Sequence, residues 1–582
     1  MLTFVTDFLN YYRTPLDQNT IRIRLERLQF IVDTSIQLII FTDKECEPHL
    51  LHLLDSKHIV IVPVDSVFLD TFSGKNLSLP KNRFPPKDTM DYMIYSHMKV
   101  KWLNVAVQLN PFDTFQFAWI DSNIVHMIPS HKQKQCQNYL TILSLHSFHL
   151  VLMYPPEEHS PSKICLPHNH LFMPGCSKGE DINNFHNNVL WRFCGSFFLG
   201  SKSAIEYLNE LYDQHFSTFL ETTQTMVWDV NFWAWLEKNT NWKPIWYSAN
   251  HNESIFKIPV FAYVQKLPLL VTYKYKYPEI ENFRPSSASY LEWDEVDAID
   301  KEKKRKIQIL NTRYVNYEYL PSGHCTIHDP ENKVKTKNMF CFMQPCYPKS
   351  FYEVSEVPFK MGIRNNPDSF FQGLEDIRLY RYKDAVRFIA TTVGYSPSGK
   401  NRMVRGSYAY QTYEIRNVEI LEPPTDTPRE KNWIPFIGEE KEQEKEYFIY
   451  SWTPMFQMGQ IVERDNKKIL EIVIQKEFTF WNGQQLRGSS NFIWTPLGYV
   501  GVVHFSIDGT LPKQYYHSLI WLDKKTYLPT HFSNTFCFLE VGIEFCTSIF
   551  VENKEIIFWI SQQDRNPLEF RVLLHTFDRH PI

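Results

Sequence analysis

No window of the 582-residue chain stays apolar for the roughly 18 positions that a membrane-spanning helix needs. The longest greasy stretch, Leu140 to Met153, is broken by Thr141, Ser144, His146, Ser147 and His149. The start, Met1 to Asp7, has neither the basic segment nor the apolar core of a secretory leader. A basic excess is missing too: the formal net charge is −4, which argues against nucleic acid as a main partner. The ten cysteines are scattered and follow no disulfide framework, so a reduced, intracellular setting is expected. Cys165 and Cys176 bracket His168 and His170, but the spacing is not that of a zinc finger, and an ordinary loop is the expectation. These absences together predict a soluble, cytoplasmic protein.

Hydrophobic residues make up 43% of the chain and charged residues 22%, the balance of a globular protein. The length exceeds what one core supports, so several domains are expected. Aromatic residues reach 15%, and such rings either line sugar sites or fill cores.

The first half alternates strand and helix patterns. Leu2–Thr6, Gln37–Thr42 and His58–Val64 read as strands, and the stretch around Arg22, Arg24 and Arg27 as a helix. Asp91–Leu109 carries apolar residues at helical spacing and is stopped by Asn110-Pro111. Tyr139–Tyr154 reads as strand-like, and 155–187 as a long loop. Trp191–Gly200 reads as a strand, followed by helices over Lys202–Leu220 and Thr222–Glu237. This is the grammar of an α/β layered domain.

The central stretch is Phe117-Ala118-Trp119-Ile120-Asp121-Ser122-Asn123. It predicts a buried strand that ends on an acid. Ligands of such sheets lie beyond the carboxyl ends of the strands. Asp121 and Asn123 are therefore candidates for a metal ion or a sugar-phosphate; the alternative is a carboxylate that caps a turn. Gly195 marks a place where a ligand comes close to the backbone. Asp229 lies among Val227, Trp228, Val230, Phe232 and Trp233, where burial would raise its pKa toward that of a general base, or a salt bridge would hold it. His251 stands in a polar cluster just past an element end, where a metal ligand can sit.

Arg284–Ser289, an acidic run and then Asp300–Lys306 read as a solvated linker over 284–306. Beyond it helical periodicity fades. Five apolar cores recur, at Ile307–Tyr319, Val386–Tyr395, Tyr447–Trp452, Tyr499–Phe505 and Ile556–Ser561. The steps from Arg387 to Tyr447, Tyr499 and Ile556 are 60, 52 and 57 residues. A period near ~50 with about four strands per unit is the mark of a propeller, here of five blades; the alternative is a two-sheet sandwich. Between the cores lie Glu375, Asp376 and Arg378, then Lys431 and Asn432, then Arg487 and His504. Around a propeller axis these can converge, with cations for an anion such as phosphate and a carboxylic acid for a glycosidic oxygen.

Two resemblances sharpen this reading. Trp119-Ile120-Asp121, Cys194 to Gly200, Trp228 to Ala234 and His251 to Ser254 resemble successive blocks of the HtrL/YibB-type glycosyltransferase-like family, over roughly residues 1–270. The resemblance implies a GT-A-like (Rossmann-like) fold and sugar transfer from a nucleotide sugar to a glycan or glycoprotein acceptor. It further implies Asp121 and His251 as ligands of Mn²⁺ or Mg²⁺, with Asp229 near the acceptor. The sequence departs from the family at Asn123, where Gly is expected, and at Glu253, where Asp is usual. The second half is similar to the five-bladed propellers of the β-mannoside phosphorylases and their glycosyltransferase relatives. The matching pieces are Asn311 to Tyr317, Glu375-Asp376-Ile377-Arg378, Lys431-Asn432, Val503-His504, Tyr516-His517, Leu522-Asp523 and Asp564. That resemblance implies Asp376 as general acid, with Arg313, Arg378, Lys431 and His504 lining a phosphate and sugar pocket. Here Ile377 stands where the family has Pro, and Phe505 where Gly often follows the His. The expected organisation is a GT-A-like domain over 1–283, a linker over 284–306 and a five-bladed propeller over 307–582. The propeller would act on the same glycan, act alone as the enzyme, or only bind carbohydrate.

Overall fold

The computed structural model describes residues 2–11, 16–65, 76–145, 171–177, 185–259, 264–267, 271–296, 304–320, 324–344, 347–440, 443–478, 480, 484–507, 513–539 and 541–582. The chain divides into two compact units, Met1–Tyr263 and Val264–Ile582.

The first unit is a seven-stranded mixed sheet with helices on it. In chain order its elements are β1 (Leu2–Phe8), α1 (Gln18–Val32), β2 (Leu38–Thr42), β3 (Ile59–Pro63), α2 (Met90–Leu109), β4 (Gln116–Ile120), α3 (Ser130–Leu145), β5 (Leu171–Gly175), β6 (Phe197–Ser201), α4 (Lys202–Thr223), α5 (Asp229–Asn239) and β7 (Ile245–Ser248). The sheet order is β3-β2-β1-β4-β6-β5-β7, with β6 antiparallel to both its neighbours. β1 is buried along its whole length, as a strand covered on both faces must be. Val5, Ile39, Phe41, Phe117 and Trp119 face a core shared with α2, α4 and α5, and α3 lies against β1. Local chemistry sets the helix ends. Thr89 caps α2 by accepting from the Tyr92 amide at 3.2 Å, and Asn110 ends the same helix in the left-handed region ahead of Pro111.

Several elements differ from the sequence reading. The described part of the apolar stretch from Tyr139, up to Leu145, is helix and not strand. A fifth strand, β5, lies inside the segment read as loop. Only the end of Trp191–Gly200 is strand, and the helix expected from Thr222 begins at Asp229.

The second unit is mostly β and propeller-like, with a short α-helix at Pro358–Met361. It opens with β8 (Gln265–Lys266), β9 (Val271–Lys274), β10 (Arg284–Val296) and β11 (Lys304–Val315). The linker expected over 284–306 is therefore corrected: its described residues form the antiparallel β10–β11 hairpin, and the unit boundary lies at 263/264. The charge run misled because its signs are complementary across the strands. Asp294 faces Lys306 and Glu295 faces Arg305, and opposite charges directly across a ladder stabilise it.

Five antiparallel meanders follow one another along the unit, within sheets of five, eight, eight and four strands. The first is β10, β11, Val334–Gln344 and Tyr347–Glu353. An eight-stranded sheet consists of two such meanders, the second (Glu375–Tyr382, Ala385–Thr392, Arg402–Ala409, Glu414–Glu422) and the third (Ile434–Glu440, Gln443–Ser451, Met455–Arg464, Lys467–Glu477). The ladder joins the two through Leu421↔Lys468 and Glu422↔Ile469. The fourth is built on Arg487–Gly488, Gly498–Ile507, Gln514–Leu522 and Pro529–Phe532. The fifth is Glu544–Glu552, Glu555–Gln562 and Arg565–Leu573, completed by β9 from the start of the unit. Each of the five apolar cores read from the sequence falls on the second strand of one meander.

Candidate functional sites

In the first unit the strand order reverses between β1 and β4, because the chain runs outward to β3 and returns past β1. That reversal is where ligands of open α/β sheets bind, beyond the carboxyl ends of the strands. Asp7 lies near the end of β1, and Asp121 directly follows β4. Asp229 comes in on the first turn of α5. The residue that joins them is Lys99, from the middle of α2. Its Nζ lies 3.2 Å from Asp121 Oδ1 and 3.4 Å from Asp229 Oδ2, and it donates to the Gly195 carbonyl at 3.0 Å.

Burial pushes the Lys99 ammonium toward neutrality, but Asp121 and Asp229 outweigh it and hold the lysine protonated. Trp119 Nε1 donates to the same Asp121 oxygen at 2.7 Å. Burial raises the Asp229 carboxyl, and Lys99 offsets part of that rise. Asp7 is pushed up to about 6, by burial first and also by Asp121, while Tyr11 donates to it at 2.8 Å. A Cβ at Gly195 would lie 3.0 Å from Asp229 Oδ2, so the neighbour that comes close to this glycine is a carboxylate of the same unit.

Three of the five residues expected at this site, Asp121, Gly195 and Asp229, thus meet on one lysine. Asn123 begins a short 3₁₀ turn instead, and its side-chain oxygen is buried without a hydrogen-bond partner among the described residues. His251 packs edge-on against Trp191, with ring centroids 4.2 Å apart, and lies beside the thiols of Cys176 and Cys194. Sequence reasoning missed Lys99. Its signal was a lone cation among the buried apolar positions of α2, a cost that only nearby carboxylates offset.

In the second unit every sheet contributes to one cluster. Arg313, from the first sheet, donates through Nη1 to Asp376 Oδ1 at 2.8 Å and lies 3.6 Å from Glu375 Oε2. Glu375, Asp376 and Arg378 come from the inner strand of the second sheet. Lys431 and Asn432 precede the third, with Lys431 Nζ 3.3 Å from Glu375 Oε2. Arg378 donates to Asn432 Oδ1 at 3.2 Å and to the Ser489 carbonyl at 2.9 Å. Ser489 Oγ pairs with His504 Nδ1 at 2.7 Å in the fourth sheet, where Arg487 lies opposite His504 in the strand register. Asp564, at the turn between two strands of the fifth sheet, accepts from the Tyr317 hydroxyl at 3.1 Å. All nine residues expected in this half are therefore near one another.

Successive residues of a strand point to opposite faces, yet Glu375 and Asp376 both reach Arg313. A bulge between Glu375 and Arg378 resolves this, with Asp376 in the left-handed region at φ 53°. Asn432 and Asp564 also have positive φ, at 64° and 52°. Backbone of this kind concentrates at functional sites.

The two aspartates sit in opposed fields. Burial pushes Asp376 up, but Arg313, Arg378 and Lys431 outweigh it and hold the carboxyl below its usual range. Burial also raises Asp564; there Arg313 opposes the shift, Asp376 adds to it, and the net result is a carboxyl above the usual range. Burial, with His517 and Arg487 next, drives His504 well below its ordinary value, so its imidazole is neutral.

No family model matches the chain, and no curated protein matches it. Among solved structures it is similar to a β-1,2-mannobiose phosphorylase from Listeria innocua, at 12% identity over 53% of this chain and 98% of that one, with a TM-score of 0.32. It is also similar to MPT-1, a GDP-Man-dependent mannosyltransferase from Leishmania mexicana, at 9% identity over 53% and 91%, with a TM-score of 0.33. An exo-1,5-α-L-arabinanase from a bovine ruminal metagenomic library aligns at 9% identity over 51% and 95%, with a TM-score of 0.28. At these scores the likeness carries no functional argument.

Proposed function

We propose that the second unit is a glycan-acting enzyme whose active site is the cluster where its five sheets meet, the axis of a five-bladed propeller. The observation that carries this reading is the pair of buried aspartates whose carboxyls are shifted in opposite directions, Asp376 down and Asp564 up, among three cations. Pairs whose surroundings push their pKa values apart mark acid and base roles. The resemblance to β-mannoside phosphorylases assigns proton donation to Asp376. The surroundings favour Asp564 for that role, since burial raises its carboxyl above the usual range, toward that of an acid that gives its proton to a glycosidic oxygen. Asp376 stays ionised, fixed by Arg313. Lys431, Arg487 and Arg313 supply the cations that an anionic co-substrate such as phosphate needs. Tyr317, Tyr319 and Tyr515, whose hydroxyls all feel Asp564, supply aromatic walls suited to a sugar. The resemblance makes the substrate a β-mannoside. The test incubates the full chain with β-1,2-mannobiose, with and without inorganic phosphate, and with GDP-mannose plus a mannose acceptor. Phosphate-dependent release of mannose 1-phosphate is expected. No turnover in any arm would leave the unit a carbohydrate-binding module.

A second reading concerns the first unit. The acids gathered at its strand reversal support transfer from a nucleotide sugar to a glycan or glycoprotein, in a GT-A-like domain. A divalent ion, Mn²⁺ or Mg²⁺, would neutralise the diphosphate leaving group. Of its two expected ligands the donor chemistry suits Asp121, whose Oδ1 is taken by Lys99 and Trp119 but whose Oδ2 has no hydrogen bond among the described residues. It suits His251 less, because that imidazole stands among thiols. Lys99 would hold Asp121 and Asp229 in place, and Asp229 would face the acceptor. Sugar-nucleotide hydrolysis lost in Asp121→Ala supports this reading; unchanged hydrolysis removes it.

A further inference from the structure

We propose that Cys176, Cys194 and His251 bind one thiophilic divalent cation, zinc by its chemistry, at the carboxyl edge of the first unit's sheet. Their ligand atoms all lie within 4.8 Å of one another. The Cys176 and Cys194 sulfurs are 3.7 Å apart. Two thiolates on a tetrahedral zinc, each at about 2.3 Å, are separated by about 3.8 Å. A disulfide would require about 2.05 Å. The spacing fits two corners of a zinc tetrahedron, as it fits two thiols in contact, and it is too long for a disulfide.

Backbone hydrogen bonds build the site from three separate segments. Cys176 follows β5, and its amide donates to the Trp191 carbonyl at 2.9 Å. The Cys194 amide donates to the Pro174 carbonyl at 2.7 Å, and Ala249, beyond β7, donates to Gly175 at 2.9 Å. Gly175 makes the approach sterically feasible, because a Cβ there would fall 1.8 Å from the Arg192 carbonyl oxygen. Trp246 Nε1 donates to that same oxygen at 2.8 Å, which fixes the segment leading to Cys194.

The ligand types select the ion. Two sulfurs and one imidazole suit zinc and disfavour Mg²⁺ and Ca²⁺, which seek oxygen. Two thiolates and an imidazole supply three of the four ligands that a tetrahedral zinc takes. The inference does not rest on either activity proposed above. It concerns the same His251 that the resemblance assigned to Mn²⁺ or Mg²⁺, and it gives that imidazole a different ion. Cys165, His168 and His170, considered together with Cys176 in the sequence, lie outside the described residues.

The test uses the full chain, reduced and stripped of metal with a chelator, then titrated with Zn²⁺ against an indicator and separately with Co²⁺. One zinc per chain is expected. Cobalt should give thiolate charge-transfer absorption in the near ultraviolet and the intense visible bands of a tetrahedral ion. Cys194 is fully buried, so its replacement could unfold the unit; the exposed ligands are replaced instead. Cys176→Ser and His251→Gln should each weaken zinc by about tenfold or more, while Cys325→Ser, in the other unit, should change nothing. Absence of the cobalt bands, zinc binding that survives both ligand substitutions, or a Cys176–Cys194 disulfide found by mass mapping would each overturn the proposal.

Discussion

Lys99 is a buried cation shared by two carboxylates, and its removal takes away the counter-charge of both, leaving them, among the described residues, only the Trp119 and Val230 N–H donors. Losing one member of a buried ion pair costs about 3–5 kcal/mol. Lys99→Met should therefore lower the unfolding free energy of the first unit by about that amount, measured by denaturant titration. Asp7 works in the opposite sense. Its folded pKa of about 6 lies above the ordinary 3.8, so the folded state binds more protons between those values. Stability is then fully present below pH 3.8 and is lost as pH rises to about 6, by an amount on the order of 3 kcal/mol. Asp7→Asn, which keeps an oxygen for Tyr11, should remove that decline and raise Tm at pH 7. In the second unit the signs predict a bell-shaped pH–rate profile. The acid limb follows protonation of Asp376, below the usual carboxylate range, and the alkaline limb follows loss of the Asp564 proton. Asp564→Asn should cut kcat/KM by about 10²–10⁴ and abolish the alkaline limb. Aryl mannosides with good leaving groups should recover much of the loss, because they need no proton donor. Asp121 and Asp229 were legible as residues because each is an acid placed against apolar sequence. Their shared partner was not, because Lys99 comes from a different helix and only the fold brings it within 3.4 Å.

At the level of elements, the launch of the strand Glu375–Tyr382 carries the second unit's site. Gly373 sits just before it at φ +90°, and a Cβ there would lie 2.5 Å from the Thr336 carbonyl oxygen. Gly373→Ala must strain the backbone or push this strand away from its neighbour, at a cost of about 1–3 kcal/mol. Because Glu375 and Asp376 follow within three residues, activity should fall more than stability does, as comparison of kcat/KM with Tm would show. Elements with strict periodicity were readable. α2 was bounded nearly to the residue, because its apolar spacing is helical and Asn110-Pro111 stops it. α3 was not, because Tyr139, Leu140 and Leu143 crowd together, and a short apolar cluster does not distinguish helix from strand. The β10–β11 hairpin was hidden by its charge. Cross-strand pairing of Asp294 and Glu295 with Lys306 and Arg305 is invisible until the register is known.

On the scale of the whole molecule, the recurrence of five apolar cores matched the five meanders but did not show where the second unit begins. That boundary was placed after 283 because the charged stretch looks like a tether. The fold places it at Val264, since β9 is the fourth strand of the last sheet, pairing Thr272 with Phe570 and Lys274 with Leu568. The strand that starts the unit thus closes its final sheet, and β8 pairs with Phe536–Cys537 of the fourth. A fragment beginning at residue 284 lacks both strands. Its Arg565–Leu573 strand then presents an unpaired edge, a template for association with other chains. Phe570 and Leu568 lie in the core cluster beside that edge and lose their cover. A fragment beginning at Val264 keeps the closure. The 264–582 fragment should therefore be monomeric with one cooperative melting transition, whereas 284–582 should aggregate or melt at lower temperature in size-exclusion and calorimetric measurements. Equal behaviour of the two fragments would mean that β9 adds nothing to the last sheet.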